Sequence, residues 1–349
     1  MEFQENFSLK AYNSFHIDAK ARYFVRCTNA DDLDAIIDQA AERLKTVDGI
    51  TILGEGSNML LVKDLDGLVM RNEIKGITLM HEDDEYVYVK AGAGENWHSF
   101  VQYCIERNWG GLENLSLIPG TVGAAPIQNI GAYGVELQEV FWSLEAFHIK
   151  FHTPVNFTNS DCRFGYRSSA FKTKYKGEYI ITSVTFRLKK QPVFHTSYGA
   201  ISKELEAMGV KELSIKAISE AVIRIRRSKL PDPAIIGNAG SFFKNPEIFL
   251  SQFEGIKKAF PNIVSFELPG GMVKLSAAWM IEHCGPSEGI SWKGFRRGDA
   301  GVHEKQPLVL VNHGNASGKE ILSLSEEIAA SVKEKFTINL EREVNVLPH

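Results

Sequence analysis

Apolar residues recur along the first two thirds of the chain in two alternating rhythms. Around Phe24 the segment FVRC has the short alternation of a strand. Leu33, Ile36, Ile37, Ala40 and Leu44 then share one face of a helix, which Thr28 or Asn29 can cap. ITIL (Ile50–Leu53) is an unbroken apolar run that stops at a glycine, which predicts a buried strand. EYVYVKAGAG (Glu85–Gly94) alternates like a strand before its glycines break it, and ENWHSFVQYCIERN after it has helical spacing. From Leu117 to Gly134 no rhythm survives. A loop so rich in Gly, Pro and Ala is usually kept for function. SLEAFHI and YIITSVTFRL return to strand patterning, so this part reads as α+β with a mixed sheet.

A second module is expected after KLPDP (Lys229–Pro233), whose prolines stop a helix. It should hold a helix around Ala277–His283 and the strand PLVLVN (Pro307–Asn312). A helix capped by Ser317 and Glu320 should follow, with Ile321, Leu324, Ile328, Val332 and Phe336 on its inner side. Ile338, Leu340, Val344 and Val346 predict a last alternating strand, with Glu341 and Glu343 on its opposite face. FHIKFH also alternates as a strand. His148 and His152 within it lack a third ligand, and no metal site is expected.

Composition narrows the partners. The 349 residues carry 39 basic and 43 acidic side chains, a net charge of -4, which argues against nucleic acid. An anionic ligand must therefore meet a local basic cluster. The start MEFQENFSLK has no basic segment ahead of an apolar one, so no signal peptide is expected. No apolar run approaches the roughly 20 residues of a membrane span. Cys27, Cys104, Cys162 and Cys284 are scattered, which predicts reduced thiols and a cytoplasmic protein, with neither disulfide nor zinc.

Several segments carry candidate chemistry. GEGSN (Gly54, Glu55, Gly56, Ser57, Asn58) follows a strand, and its glycines let backbone amides converge on an anion. It is not a dinucleotide fingerprint, because the third glycine would fall at Met59. GAGENW (from Gly92 and Gly94) and IPGTVGAAPIQNIGAYG (Ile118–Gly134) are further clusters. Taken singly each is an ordinary tight turn; three in one half suit a long phosphorylated ligand such as a dinucleotide. CRFGYR places Arg163, Tyr166 and Arg167 around a glycine, where surface arginines on a turn are the simpler reading. GNAGSFFKNP sets Ser241 between a glycine and two phenylalanines, either a structural turn or a hydroxyl held in a water-poor pocket. No GxSxG elbow is present, which speaks against a hydrolase nucleophile. Pattern alone does not separate Glu341 from Glu343, and His303 suits packing or ligand contact equally.

In order and over nearly the whole length, GEGSN, GAGENW, IPGTVGAAPIQNIGAYG, CRFGYR, KLPDP, GNAGSFFKNP and LEREV resemble the MurB family of UDP-N-acetylenolpyruvoylglucosamine reductases, in its type I branch. The resemblance implies an α+β fold: a flavin-binding domain of the PCMH type, like that of vanillyl-alcohol oxidase, over 17–190. A tyrosine-bearing loop and connecting helix over 191–225 and a C-terminal α/β substrate-binding domain over 226–349 would follow. It implies noncovalent FAD, held by Gly54, Glu55, Gly56, Ser57, Asn58, Gly92, Gly94, Pro119, Gly120, Gly123, Ile127 and Asn129. NADPH is the implied cosubstrate, UDP-N-acetylglucosamine-enolpyruvate the implied substrate, and a monomer the implied state. Hydride would pass from flavin N5 to C3 of the enolpyruvyl group. Arg167 and Glu343 would stabilise the resulting charge, Glu343 with a raised pKa, and Ser241 would protonate C2. Tyr166, Tyr198, Lys229, Asn245 and Gln306 match substrate-holding positions. Thr121 replaces a smaller residue, Phe266 stands where several members carry tyrosine, and the 290–301 stretch, longer than in some members, either touches ligand or packs. Two other readings are a sugar or alcohol oxidase on the same flavin scaffold and a noncatalytic nucleotide-binding protein.

Overall fold

The computed structural model describes residues 2–46 and 49–348, which divide into two compact units. The first contains 21–55 and 65–228; the second contains 8–20, 56–64 and residues from 229 onward. The second unit is thus assembled from three stretches of sequence. The motif GEGSN spans the division, with Gly54 and Glu55 in the first unit and Gly56, Ser57 and Asn58 in the second.

Two sheets build the first unit. In a four-stranded sheet, Leu65–Asn72 pairs in parallel with both Lys20–Cys27 and Ile50–Leu53. Parallel pairing needs a crossover, and the helix Leu33–Leu44 supplies it. Asn29 accepts from Asp31 N and caps a short 3₁₀ turn that leads into this helix. Leu33, Ile36, Ile37 and Ala40 of the helix are buried against Val25, Leu68 and Met70. A five-stranded antiparallel sheet has Tyr179–Lys189 at its centre, between Phe141–His148 and Tyr86–Gly92. The helix Trp97–Glu106, capped by Asn96, fills one of its faces with Trp97, Phe100 and Val101, all fully buried. The Trp97 indole N–H donates to Leu115 O at 2.9 Å, so its one polar atom is satisfied inside the core.

Two sequence expectations change here. FHIKFH is not one strand. Phe141–His148 ends, the chain turns with His152 at φ +53°, and Thr153–Thr158 returns antiparallel. The His148 ring nitrogen accepts from Lys150 N and Phe151 N, so this histidine shapes the turn. The stretch after 191 holds two helices, Gly199–Ala207 and Ile215–Lys229, where one was expected. Gly209, at φ +68°, separates them, because few other residues adopt that conformation without strain.

In the second unit, Gly237–Ser241, Val309–Asn312, Ala300–Val302 and Arg296–Arg297 form an antiparallel sheet in that order. The helix Gly318–Phe336 packs on it through Ile321, Leu324, Ile328 and Val332, and Ser317 with Glu320 forms the expected capping box. A three-stranded sheet (Glu247–Phe249, Met272–Leu275, Ser265–Leu268) and the helix Ala277–Glu282 complete it. The 290–301 stretch packs: Trp292 is buried, its indole N–H donates to Ser331 Oγ at 2.6 Å, and Arg297 pairs with Glu327.

The last predicted strand also differs. Only Asn345–Leu347 is a strand, parallel to Met59–Leu61. Before it, residues 341–343 run beside the GSFFK segment: Lys244 N donates to Glu341 O at 2.9 Å and Glu343 N to Phe242 O at 2.8 Å. The chain changes partner between the two, which interrupts the alternation that the sequence suggested.

Candidate functional site

Within the first unit the three glycine-rich segments are stitched into one surface. Gly120 N and the Asn96 amide both donate to the Glu55 carboxylate. Trp97 N donates to Gly120 O, Val122 N to Glu95 O and Gly123 N to Ala93 O, each at 2.8–2.9 Å. The glycines permit this closeness. A Cβ on Gly54 would lie 2.7 Å from Thr121 Oγ1, one on Gly94 2.6 Å from Glu73 main chain, and one on Gly123 2.5 Å from Ala93 Cβ. Gly92 meets Ile74 O in the same way. Pro119 and Ile127 are exposed, and the Ile127 carbonyl accepts from Ser169.

Beside this surface lies a cationic patch that the sequence reading did not single out. Arg226, on the helix Ile215–Lys229, donates from Nε to Leu117 O at 3.1 Å and hydrogen-bonds the Tyr133 phenol. Burial lowers its pKa from the arginine range, and the Arg167 guanidinium lowers it further. A second guanidinium thus lies close enough to act on buried Arg226, an arrangement that favours an anionic ligand. Helical periodicity carried the signal: Arg226 follows buried Val222 by four residues and Ile218 by eight, so it sits on the core face. Burial and the neighbouring Arg227 and Arg226 also lower the pKa of His98, whose Nδ1 accepts from Leu117 N.

Tyr166 and Arg167 sit together in the CRFGYR turn, with the Arg167 guanidinium 5.3 Å from the Tyr166 ring centroid. Arg167 Nη2 donates to Gly131 O at 2.5 Å. Tyr198, 45% exposed, precedes the helix Gly199–Ala207 and meets Tyr133 edge to face at 5.4 Å. Asn114 holds that loop, donating to His195 O at 2.9 Å and to Tyr133 O at 3.1 Å.

Next to it, the Glu113 carboxyl is 1% exposed; Oε2 accepts from Gly111 N, and Oε1 has no partner among the described residues. Burial raises its pKa despite the opposing backbone N–H groups and His195. A carboxyl with a raised folded-state pKa gives stability that is complete below the unfolded value of about 4.3 and lost as pH rises through the folded one. Glu113→Gln removes that loss. Its melting temperature relative to the parent should rise as pH climbs above about 4 and level off once pH passes the folded-state pKa; a gap that stays constant with pH would contradict the assignment.

Within the second unit, Ser241 ends the strand Gly237–Ser241 and pairs with Val309. Phe242 and Phe243 after it are 0% and 2% exposed, so the residue leads directly into an apolar core. Glu343 is tied in by its backbone, its N–H on Phe242 O and its carbonyl accepting from the Asn58 amide at 3.4 Å. Glu341 instead points outward, 72% exposed in an ion pair with Lys244. The structure thus separates two glutamates that the alternation left equivalent. Asn245 Oδ1 accepts from Ala277 N, and Lys229 is an exposed helix-end cation. Gln306 Oε1 and His303 Nδ1, in the turn leading to Val309, are buried polar atoms without a partner among the described residues. Burial lowers the His303 pKa, which favours its neutral form. Phe266 is 48% exposed on Ser265–Leu268.

Residues 21–147 match the family model of an FAD-binding domain, and 232–347 match that of the UDP-N-acetylenolpyruvoylglucosamine reductase C-terminal domain. A UDP-N-acetylenolpyruvoylglucosamine reductase of Flavobacterium johnsoniae is 49% identical, over 99% of this chain and 100% of its own. The chain belongs to the UDP-N-acetylenolpyruvoylglucosamine reductase family. An enzyme of the same name from Amoebophilus asiaticus is 51% identical over 99% of the chain and 100% of its own. Among solved structures, that of the Thermus caldophilus reductase of this family matches with a TM-score of 0.65 at 24% identity, covering 99% of this chain and 98% of that one. The expected fold class, an α+β flavin-binding domain followed by a C-terminal α/β domain, agrees with these matches.

Proposed function

We propose that the chain reduces UDP-N-acetylglucosamine-enolpyruvate to UDP-N-acetylmuramate, with noncovalent FAD and with NADPH as electron donor, as a cytoplasmic monomer supplying a peptidoglycan precursor. Family membership supports the reaction. The observation that carries the chemical reading is the Ser241 hydroxyl at a strand end beside buried Phe242, whose carbonyl also binds Glu343 N. The stitched glycine segments fit an anionic dinucleotide cofactor, and the Arg167–Arg226 patch fits an anionic substrate. Four free, buried cysteines fit a reducing compartment.

FAD held by the glycine segments, once reduced by NADPH, would supply the hydride that C3 of the enolpyruvyl group accepts. Everything else falls to side chains. Arg167 binds the substrate carboxylate and offsets the negative charge that grows on it as C2 gains electron density. Glu343, acting as an acid, helps hold that carboxylate. Ser241 Oγ delivers the proton to C2. Serine is a weak acid, so the low-dielectric surroundings of Phe242 and the basicity of the carbanion both matter. Lys229 offsets diphosphate charge, and Tyr166, Tyr198, Asn245 and Gln306 hold the sugar nucleotide by hydrogen bonds. The unpartnered Oε1 of Gln306 is an acceptor that a ligand hydroxyl or N–H would satisfy. Gly54, Glu55, Gly56, Ser57, Asn58, Gly92, Gly94, Pro119, Gly120, Gly123, Ile127 and Asn129 are the proposed cofactor segment residues. The deciding experiment follows NADPH oxidation by the purified yellow protein with and without the enolpyruvyl substrate. Substrate-dependent oxidation with muramate as product is expected. Oxidation driven only by oxygen would favour the oxidase reading.

A further inference from the structure

The Tyr166–Arg167 turn is held at both ends by a single short segment, and this has a consequence for the reaction. Gly165 and Ser168 close the turn with reciprocal backbone hydrogen bonds of 3.0 and 3.1 Å. Arg167 within it has φ +51°, a left-handed conformation that a non-glycine residue keeps only when its surroundings impose it. Those surroundings are residues 129–131. Asn129 Nδ2 donates to Gly165 O at 3.1 Å and to Glu136 Oε2 at 2.9 Å, while its Oδ1 accepts from Gln138 N at 3.0 Å. The side chain is fully buried, and these bonds tie it to protein. Two residues on, Gly131 O accepts from Arg167 Nη2. A Cβ on Gly131 would lie 2.7 Å from Arg167 Nη1, and 3.1 Å from Glu136 Cγ and Val135 O. Glycine here is not required by a positive φ; the closest atom is the end of the arginine itself, ahead of the Val135 carbonyl.

We propose that Asn129 and Gly131 are positioning residues for the reaction: Asn129 fixes the turn that carries Arg167, and Gly131 supplies the notch and the carbonyl that aim its guanidinium. The inference rests on the role proposed above for Arg167. It assigns the side chain of Asn129 to the turn, and only its backbone remains to face a cofactor. Displacing a charge-stabilising group by about 1 Å can cost ~10²-fold in rate.

The test separates flavin chemistry from the step that needs Arg167. Gly131→Ala pushes the guanidinium aside with one methyl group. Asn129→Asp keeps the left-handed backbone accessible but replaces both donors with a carboxylate facing Glu136. Each variant is purified with its flavin, reduced by light in the absence of air, and mixed with saturating enolpyruvyl substrate. Flavin reoxidation is followed by stopped flow. We expect it to slow by about 10–100-fold in each, with flavin content and the rate of reduction by NADPH unchanged in Gly131→Ala. In an Arg167→Ala background neither change should slow reoxidation further. Loss of flavin from Gly131→Ala, reoxidation within about twofold of the parent in either variant, or an undiminished additional loss in the Arg167→Ala background would overturn the proposal. If Arg167→Ala itself reoxidises normally, the role given to Arg167 falls, an outcome distinct from failure of the two positioning variants in an Arg167-dependent enzyme.

Discussion

Ser241→Ala should lower turnover of the enolpyruvyl substrate by about 10²–10⁴-fold, the range that a positioned general acid contributes, while leaving reduction of the flavin by NADPH intact. Folding should hardly change. The residue ends a strand, its backbone pairing with Val309 does not depend on the hydroxyl, and the neighbouring packing belongs to Phe242 and Phe243. The measurement is a pair of half-reactions at one pH, with the melting temperature as control. Ser241→Cys adds a second reading, since a thiol is a stronger acid of similar shape and should retain more activity than alanine. Turnover equal to the parent in Ser241→Ala would remove this residue from the mechanism.

The largest stability effect is expected at Gly56. Its φ is +68°, and a Cβ there would lie 2.1 Å from Tyr12 O and 2.9 Å from Asn13 Cα. Backbone cannot swing away as a lysine tip can. The Gly56 carbonyl is also fixed, accepting from Ser14 N at 3.1 Å and from Ser14 Oγ at 3.3 Å. Gly56→Ala should therefore cost about 2–6 kcal/mol, combining left-handed strain with an overpacked contact. Flavin occupancy should fall with it. Gly134→Ala is the control. Gly134 has φ +84° but, among the described residues, no atom within 4 Å of its Cβ position, so it carries the strain without the clash. Thermal unfolding and the ratio of flavin to protein absorbance read both variants. Equal losses in the two would mean that conformation alone, and not the approach of Tyr12, fixes the glycine.

Local patterns were legible wherever one element used one partner. The helix Leu33–Leu44, the helix Gly318–Phe336 with its capping box, and the strand Val309–Asn312 all follow from spacing and caps. Legibility failed where geometry depends on distant chain. Residues 338–346 alternate as a strand should, yet their backbone divides its hydrogen bonds between GSFFK and Met59–Leu61. FHIKFH alternates too, but a turn between paired strands overrides the pattern. For the site, the glycine motifs announced close backbone approach without saying whether loop or ligand does the approaching; the structure shows loops meeting one another. Pattern alone left Glu341 and Glu343 equivalent and the resemblance named Glu343; the structure adds that Glu341 is exposed in an ion pair with Lys244 while Glu343 is tied by its backbone. Glu113 and Asn114 sit in a segment without periodicity, and nothing in their spacing marked them as buried.

The parallel pairing of Asn345–Leu347 with Met59–Leu61 also bears on how the molecule is made. Pairs so far apart in sequence form late, because a long loop must close before they yield any energy. On the ribosome, residues 65–228 can collapse on their own sheets as they emerge. The strand Met59–Leu61 has to wait for its β partner until the last strand has been synthesised. Chains interrupted before residue 345 would hold a nearly finished first unit beside an open edge at Met59–Leu61, the kind of exposed strand that recruits other chains.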